Sequence, residues 1–299
     1  MTAAEFPWPD IDGGWRPEWL GAGFRVGGKD VPVLAYDCGD SGWSNALTRM
    51  HEEAAGPDHP IDRLSRAWAL SALRRHVQSN SPVLLEVGCS SGFLLRELHE
   101  QWPAATTIGA DFVREPLERL AAAVNDIPLM QFDLVRCPLP SECVDAVVLL
   151  NVLEHIDKDG AAMRHAVRVL KPGGIAIVEV PAGPHLYDVY DEYLQHCRRY
   201  SAASLASLMV DAGLELLHQS HLGFTLYPPF ALVKRRNRRH AGDSLAGRRI
   251  VESHIRQTRH NLLLRKMLCW EAWLGRLCSF PFGIRCVAVG RKSFATGDV

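Results

Sequence analysis

Val83-Leu84-Leu85-Glu86-Val87-Gly88-Cys89-Ser90-Ser91-Gly92 is the stretch that decides the fold. Residues 83–87 have the apolar character of a short buried strand, and a turn of small residues follows them. A helical pattern then begins at Phe93. Strand, glycine turn and helix in this order form a cradle of nucleotide size, because glycines allow close backbone approach and a helix N-terminus presents free N–H groups. An ordinary turn of a parallel sheet has the same pattern, so the remaining segments must decide.

Alternating strands and helices follow this stretch. The patterns predict strands at 83–87, 106–110, 129–132, 144–150, 175–180, 214–222 and 284–291, and helices at 92–102, 114–124, 161–170 and 201–212. Continuous apolar strands separated by helices predict a mostly parallel sheet with helices on both faces. Ligands of such sheets bind at the C-terminal ends of the strands.

The segments around this core are of a different kind. Residues 1–57 are rich in Gly, Pro and Trp and lack a period, which indicates an irregular arm or cap. Pro60 begins a helix that we predict to pack on the sheet, the alternative being that arm and helix cover the ligand pocket. The predicted organisation is an N-terminal arm and cap helix (1–80), an α/β core (81–222), a basic helical insertion (223–283) and a last core strand with a tail (284–299).

Charge is balanced over the whole chain but not along it. Its 299 residues are 47% hydrophobic and carry 33 basic and 34 acidic side chains. Between residues 223 and 283 there are 12 basic and 3 acidic residues, which leaves 21 and 31 for the remainder. The asymmetry indicates an anionic partner or surface for the basic part.

Targeting and metal-binding signals are not apparent in the sequence. The first seven residues do not resemble a secretory signal, and the apolar stretch 222–233 contains Pro228-Pro229. It is also far shorter than the roughly 20 residues of a membrane span. Eight cysteines include no Cys-x-x-Cys pair, which argues against a structural zinc site or a disulfide framework. We expect a cytoplasmic protein without a metal site.

Polar residues at three strand ends narrow the choice of ligand class. Asp111, Asp133 and Asn151 follow successive predicted strands at the edge that carries the glycine turn. A dinucleotide site would have G-x-G-x-x-G, but Ser90 and Phe93 stand where the second and third glycines belong. A triphosphate-binding loop is also absent from the sequence. A nucleoside ligand without a pyrophosphate fits best.

Five segments, in order, resemble the motifs of class I S-adenosylmethionine-dependent methyltransferases. They are residues 85–92, 109–112, 144–148, 151–156 and 170–174, so that the resemblance covers about 82–222 and extends to the last strand. One departure is Ser90, where the family usually has glycine. The resemblance implies a Rossmann-like seven-stranded sheet whose last strand lies antiparallel beside the fifth.

The resemblance also implies S-adenosyl-L-methionine as cofactor and a role for each matched position. Glu86 would orient the methionine amino group, and the backbone of the glycine turn would contact the carboxylate side. The implied cofactor residues are Glu86, Gly88, Cys89, Ser90, Gly92, Asp111 and Phe112 (ribose and adenine), Asp133 and Leu134 (adenine edge), and Asn151.

Candidate catalytic residues follow the fourth and fifth strands. His155 and His196 are candidate bases, which a hydroxyl acceptor would need; the alternative role of His155 is to shape its loop. Residues 187–200 resemble a His-Arg-Arg-Tyr segment of some methyltransferases, and Tyr190, Arg198 and Arg199 are candidate substrate ligands. The alternative is an ion-pair network of Asp191 and Glu192 with the two arginines.

The insertion has two notable patterns. The run 234–239 is basic, and Leu263, Met267, Trp270, Leu274 and Leu277 have the spacing of an amphipathic helix. Packing on its own domain with solvated charges is one interpretation. Self-association or peripheral membrane contact through 234–278, or a cap over a phosphorylated or carrier-bound substrate, are the others. No nucleic-acid partner is expected.

The sequence thus predicts a methyltransferase that uses S-adenosylmethionine and modifies oxygen or nitrogen of a small molecule, with an anionic acceptor as one option. A non-catalytic binding module of the same fold is the alternative. A nicotinamide-dependent oxidoreductase is disfavoured by Ser90 and Phe93.

Overall fold

The computed structural model describes residues 1–11, 13–38, 56–238 and 262–294. Its strands are β1 Glu18–Trp19, β2 Phe24–Val26, β3 Lys29–Val31, β4 Leu34–Ala35, β5 Val83–Val87, β6 Thr106–Asp111, β7 Leu129–Gln131, β8 Val144–Leu150, β9 Leu170–Pro181, β10 Leu214–Leu222 and β11 Arg285–Lys292. Its helices are α1 Pro60–His76, α2 Phe93–Gln101, α3 Arg114–Ala123, α4 Asp159–Val169, α5 Val189–Tyr193, α6 Ala202–Asp211, α7 Tyr227–Asn237 and α8 Leu262–Leu274.

The main sheet has the strand order β10-β11-β9-β8-β5-β6-β7-β4. Strands β9, β8, β5, β6, β7 and β4 are parallel to one another, whereas β11 pairs antiparallel with β9 and β10. The predicted mostly parallel sheet and its antiparallel last strand are confirmed. The prediction of seven strands is wrong for the described chain, because β4 adds an eighth at the edge of β7. A strand of two residues is too short to show the alternation of apolar and polar residues by which strands are predicted.

Helices cover both faces of this sheet. One apolar cluster packs α1 and α2 against β5 and β9 and includes Leu73, Leu98, Leu84 and Ile177. The other face packs residues of α4 and α6, including Met163 and Met209, in the same cluster as Leu85 and Val178. The predicted packing of the 60–76 helix on the sheet is therefore confirmed. Both faces being buried explains why these strands are apolar throughout.

The N-terminal arm is ordered around aromatic side chains. Strands β1, β2 and β3 form a small antiparallel sheet that the sequence did not predict, whereas most of the described arm is irregular, as expected. Phe6, Trp8 and Phe24 are buried in the core cluster that includes Val83 and Ile108. Trp8 and Phe24 meet edge to face with ring centroids 4.9 Å apart. Strands of two or three residues are too short for an alternation of apolar and polar residues to be detected in the sequence.

The described part of the insertion consists of α7 and α8. Leu264 and Leu268 of α8 are buried against α1. The predicted apolar face is wrong, because Trp270 and Leu277 are 54% and 72% exposed. The reason is Glu271, a buried carboxylate that accepts backbone N–H bonds from residues 223–225 and thereby sets the rotation of α8.

Residues 239–261, including Arg239 of the basic run, lie outside the described part, as does the side chain of Leu263. Among the described helices, none combines the length and apolarity that crossing a bilayer requires.

Candidate active site

The glycine turn after β5 has a backbone that only small residues tolerate. Gly88 and Gly92 have φ angles of 81° and 69°. A Cβ atom on Gly88 would lie 2.5 Å from Cγ2 of Val152, and one on Gly92 would lie 2.6 Å from Cδ1 of Leu120. Ser90 also has a positive φ of 45°, a conformation that costs a non-glycine residue about 1–2 kcal/mol. The turn is therefore packed directly against the loop that follows β8.

The end of β6 holds this turn in place. The carboxylate of Asp111 accepts the Ser90 N–H at 2.9 Å and the Val113 N–H at 2.9 Å. The carbonyl of Ala110 accepts the N–H groups of Gly88 and Cys89 at 2.8 and 3.0 Å. These amides are occupied within the chain, and the contact of the Gly88–Gly92 backbone with the cofactor stays a prediction. The N-terminal turn of α2 keeps the N–H groups that a helix leaves unpaired.

Glu86 is a buried acid facing this edge. Its side chain is 6% exposed, and its Oε2 atom has no hydrogen-bond partner among the described residues. Burial, with a further contribution from Asp111, raises the pKa of Glu86 well above its usual value. A carboxylate in this state is suited to a positively charged ligand group, because such a group restores the ionised form.

The other predicted cofactor residues follow the neighbouring strands β6, β7 and β8. Phe112 is half-buried, and its carbonyl accepts a bond from the Gln131 side chain at 3.1 Å. Asp133 caps a 3₁₀ turn through a 2.9 Å bond from the Val135 N–H, and Leu134 is buried. The side chain of Cys89 is buried in an apolar cluster with Leu95 and Leu129, so only its backbone faces the turn.

Asn151 has a structural partner that the sequence did not reveal. It adopts a φ of 55°, and its amide donates a 3.0 Å hydrogen bond to Oε1 of Glu179 on β9. This bond joins the ends of two strands, and the contact of Asn151 with the cofactor stays a prediction.

His155 and His196 lie together beyond β8 and β9. Their ring centroids are 4.7 Å apart in an edge-to-face arrangement. His196 Nδ1 lies 2.8 Å from Asp191 Oδ1. Burial lowers the pKa of His196, while the bond to Asp191 acts in the opposite direction. The arrangement resembles an imidazole oriented by a carboxylate, which serves proton transfer or metal binding.

Glu154 is the residue that sequence reasoning missed here. It is fully buried, and neither carboxylate oxygen has a hydrogen-bond partner among the described residues. Its Oε1 atom lies 4.0 Å from His155 Nε2, and burial raises the pKa of Glu154 to about 8. The available signal was an acid directly before His155 in a loop that follows an apolar strand.

The two arginines and Lys234 form ion pairs within the chain. Arg199 and Lys234 contact Asp191 at 2.8 and 2.9 Å, and Lys234 also contacts Asp188 at 2.5 Å. Arg198 instead pairs with Asp159 at 2.6 Å. Of the predicted network, the Asp191–Arg199 pair is present among the described residues. The substrate contacts of both arginines stay predictions, because a guanidinium has five N–H donors and can bond a ligand as well as an acid.

Lys234 links the basic run to this site. One of the interpretations of the run, a solvated surface, is wrong for Lys234, since its side chain is 3% exposed. Its ammonium group lies 4.7 Å from the ring centroid of Tyr190, the third predicted substrate residue. Tyr190 is half-buried, and burial raises the pKa of its hydroxyl. Arg235 and Arg236 are exposed.

Comparisons with known proteins agree with this architecture. A protein of Mycolicibacterium smegmatis described as "Probable S-adenosylmethionine-dependent methyltransferase" is 30% identical over 138 residues, which are 44% of this chain and 52% of the relative. The chain spans about half the length of the curated relatives it matches.

Solved structures show the same fold. The [4+2]-cyclase SpnF has a TM-score of 0.56 and 19% identity, covering 83% of this chain and 93% of its own. Phosphoethanolamine N-methyltransferase 2 of Haemonchus contortus, solved with S-adenosyl-L-methionine, has a TM-score of 0.52 and 14% identity over 84% of this chain and 57% of its own. The family model described as "Methyltransferase domain" matches residues 50–219. With more than half of its residues in that match, the chain belongs to the methyltransferase-domain family.

Proposed function

We propose that this protein transfers the methyl group of S-adenosylmethionine to an oxygen or nitrogen atom of a small-molecule acceptor. The observation that carries the proposal is the buried carboxylate of Glu86, whose Oε2 atom lacks a partner in the described chain beside a glycine turn that can admit a ligand. The ammonium group of the methionine moiety matches this carboxylate in charge. The bound cofactor would supply an electrophilic methyl carbon.

Asp111 and Asp133 would hold the nucleoside part of the cofactor. Asp111 follows β6 at the edge that carries the glycine turn, and its two oxygens accept the Ser90 and Val113 N–H groups. A carboxylate is the acceptor that ribose hydroxyls would need there. Asp133 and Leu134 follow β7, beside β6, where the adenine edge would lie. The turn geometry is thus already fixed before a ligand binds.

The acceptor would bind on the side of His155 and His196. Cγ2 of Val152, on the loop that carries His155, lies 2.5 Å from where a Cβ atom of Gly88 would stand, and His155 packs against His196. Both histidines would therefore adjoin the proposed cofactor site. Alignment of an acceptor with the methyl carbon can supply about 7–11 kcal/mol of the barrier. A small molecule rather than a nucleic acid is favoured by the formal net charge of −1.

Calorimetric titration with S-adenosylmethionine tests the cofactor assignment. We expect the wild-type protein to bind. Asp111→Ala should weaken binding at least tenfold, because the substitution removes the acceptor for the ribose hydroxyls and the carboxylate that holds the glycine turn in place. Asp126→Ala is the matched control, since this exposed acid lies before β7 at the opposite edge and pairs only with His99 in the described chain. Absence of binding by the wild-type protein would overturn the proposal.

Transfer of a radiolabelled methyl group to a panel of hydroxyl and amine metabolites tests catalysis. Transfer to a panel member that depends on Asp111 supports the proposal. Cofactor binding with no transfer to any compound favours the non-catalytic binding module. Binding of a nicotinamide dinucleotide in place of S-adenosylmethionine would instead indicate an oxidoreductase.

A further inference from the structure

Glu154, His155 and His196 form a cluster of three metal-ligating side chains. Each offers one ligand atom, and these atoms all lie within 4.8 Å of one another. The residues come from two loops, one after β8 and one after β9, which the chain brings together only on folding. We propose that this cluster is a binding site for one divalent transition-metal ion of the zinc or manganese type.

The donor set is the first argument. Two imidazoles and one carboxylate are the protein ligands of many metal sites that keep coordination positions open. Sites of this kind contain no cysteine pair, so the cysteine spacing that argued against a structural zinc site does not bear on them. Ligand atoms on a common ion at about 2.1 Å lie roughly 3–3.5 Å apart, so binding would draw this cluster together by about an ångström.

The state of Glu154 is the second argument. A buried polar group normally has a hydrogen-bond partner, and an unpaired one costs free energy. Glu154 is 0% exposed, yet both its oxygens lack such a partner in the described chain. If its role were only to shape the loop, a donor should contact it. A cation between the carboxylate and the two histidines would give these oxygens the partner that they lack among the described residues.

The surroundings of the cluster are the third argument. Metal-ligating histidines usually contact a carboxylate or carbonyl through their second ring nitrogen. His196 does so, because its Nδ1 lies 2.8 Å from Asp191 Oδ1 and leaves Nε2 for the ion. Asp191 is itself fixed by Arg199 and Lys234. The Cys197 N–H donates a 2.7 Å bond to the Glu154 carbonyl, which joins the two loops.

The position of the site suggests what the ion does. Three protein ligands leave positions open on the ion, and an acceptor hydroxyl bound there would lose its proton to solvent more readily. This role rests on the proposed methyl transfer, whereas metal binding by itself does not. It would favour acceptors with oxygen nucleophiles and remove the need for either histidine to act as a base.

Metal titration of the chelator-treated full chain tests the proposal. We expect zinc or manganese chloride to bind with one ion per chain in calorimetry, and cobalt substitution to give a visible absorption band. Glu154→Gln and His196→Gln should each weaken binding by at least about 100-fold, whereas His99→Asn, an exposed histidine away from the site, should not change it.

Thermal unfolding followed by circular dichroism identifies any variant that fails to fold. If His196→Gln is one of these, the near-isosteric Glu154→Gln decides. A wild-type protein that binds no ion, or folded ligand variants that bind as tightly as wild type, would overturn the proposal. Titration of S-adenosylmethionine in the presence of chelator separates the two ideas, because cofactor binding there leaves the proposed function standing even when the metal site fails.

Discussion

Replacing Lys234 with methionine would remove a buried positive charge from between two buried carboxylates. The ammonium group lies 2.5 Å from Asp188 and 2.9 Å from Asp191, and both carboxylates are 0% exposed. Burial lowers the pKa of Lys234, and the two acids partly restore it. The same ammonium group lies 5.4 Å from the ring centroid of Phe230, so the substitution removes this cation–π contact as well.

The magnitude follows from the charge balance of this network. In the wild-type protein Lys234 and Arg199 offset Asp188 and Asp191, whereas Lys234→Met leaves one negative charge uncompensated. Removing one partner of a buried ion pair typically costs about 3–5 kcal/mol. We therefore expect the free energy of unfolding to fall by about 3–5 kcal/mol.

Urea denaturation followed by circular dichroism measures this loss. Arg235→Met is the control, because Arg235 is adjacent but exposed, and it should change stability by less than about 0.5 kcal/mol. Adding Asp188→Asn to Lys234→Met restores the charge balance and should recover about 1–3 kcal/mol relative to additivity. A loss below about 1 kcal/mol, or strictly additive variants, would refute the reasoning.

Two further predictions concern buried carboxylates elsewhere. Because burial raises the pKa of Glu86 above 4.5 in the folded state, the unfolded chain releases its proton first, and the unliganded protein loses stability as the pH rises above that value. Glu86→Gln should thus be more stable than wild type at pH 8 by a margin that shrinks towards pH 4.5, and a margin independent of pH in urea unfolding would contradict this. Glu271→Ala removes the acceptor of the Gly223, Phe224 and Thr225 N–H groups, so we expect a loss of about 3 kcal/mol and faster amide hydrogen exchange at these positions; unchanged exchange would count against it.

Much of the fold could be predicted because its signals are local. The strands 83–87, 144–150 and 214–222 have the bounds that their apolar runs indicated, and Ser201 caps α6 as expected. The features that could not be predicted depend on partners distant in sequence. Glu271 sets the face of α8 through a bond to Gly223, 48 residues away. Lys234 is buried in an ion pair with Asp188, which lies 46 residues away in the sequence.

The candidate site likewise has features that could be predicted locally and features that depend on distant partners. His155 and His196 could be identified singly from their positions after strands, but nothing local shows that their rings touch. Glu154 was overlooked because an acid beside an apolar strand resembles an ordinary loop residue. The bond from Asn151 to Glu179 could not be predicted, because 28 positions separate the two residues. For Arg199 the sequence offered both a substrate contact and a pair with Asp191, and the structure contains the pair.

The position of β11 has a consequence for how the protein is made. It follows every other strand of the main sheet in sequence, yet it lies inside that sheet, hydrogen-bonded to β9 on one side and β10 on the other. Arg285 at its start also supplies the 2.6 Å ion pair to Glu179. During synthesis the edges of β9 and β10 must stay open until residues 285–292 leave the ribosome, and open strand edges promote aggregation. Yield in the cell should therefore be especially sensitive to ribosome stalling and to substitutions near β11.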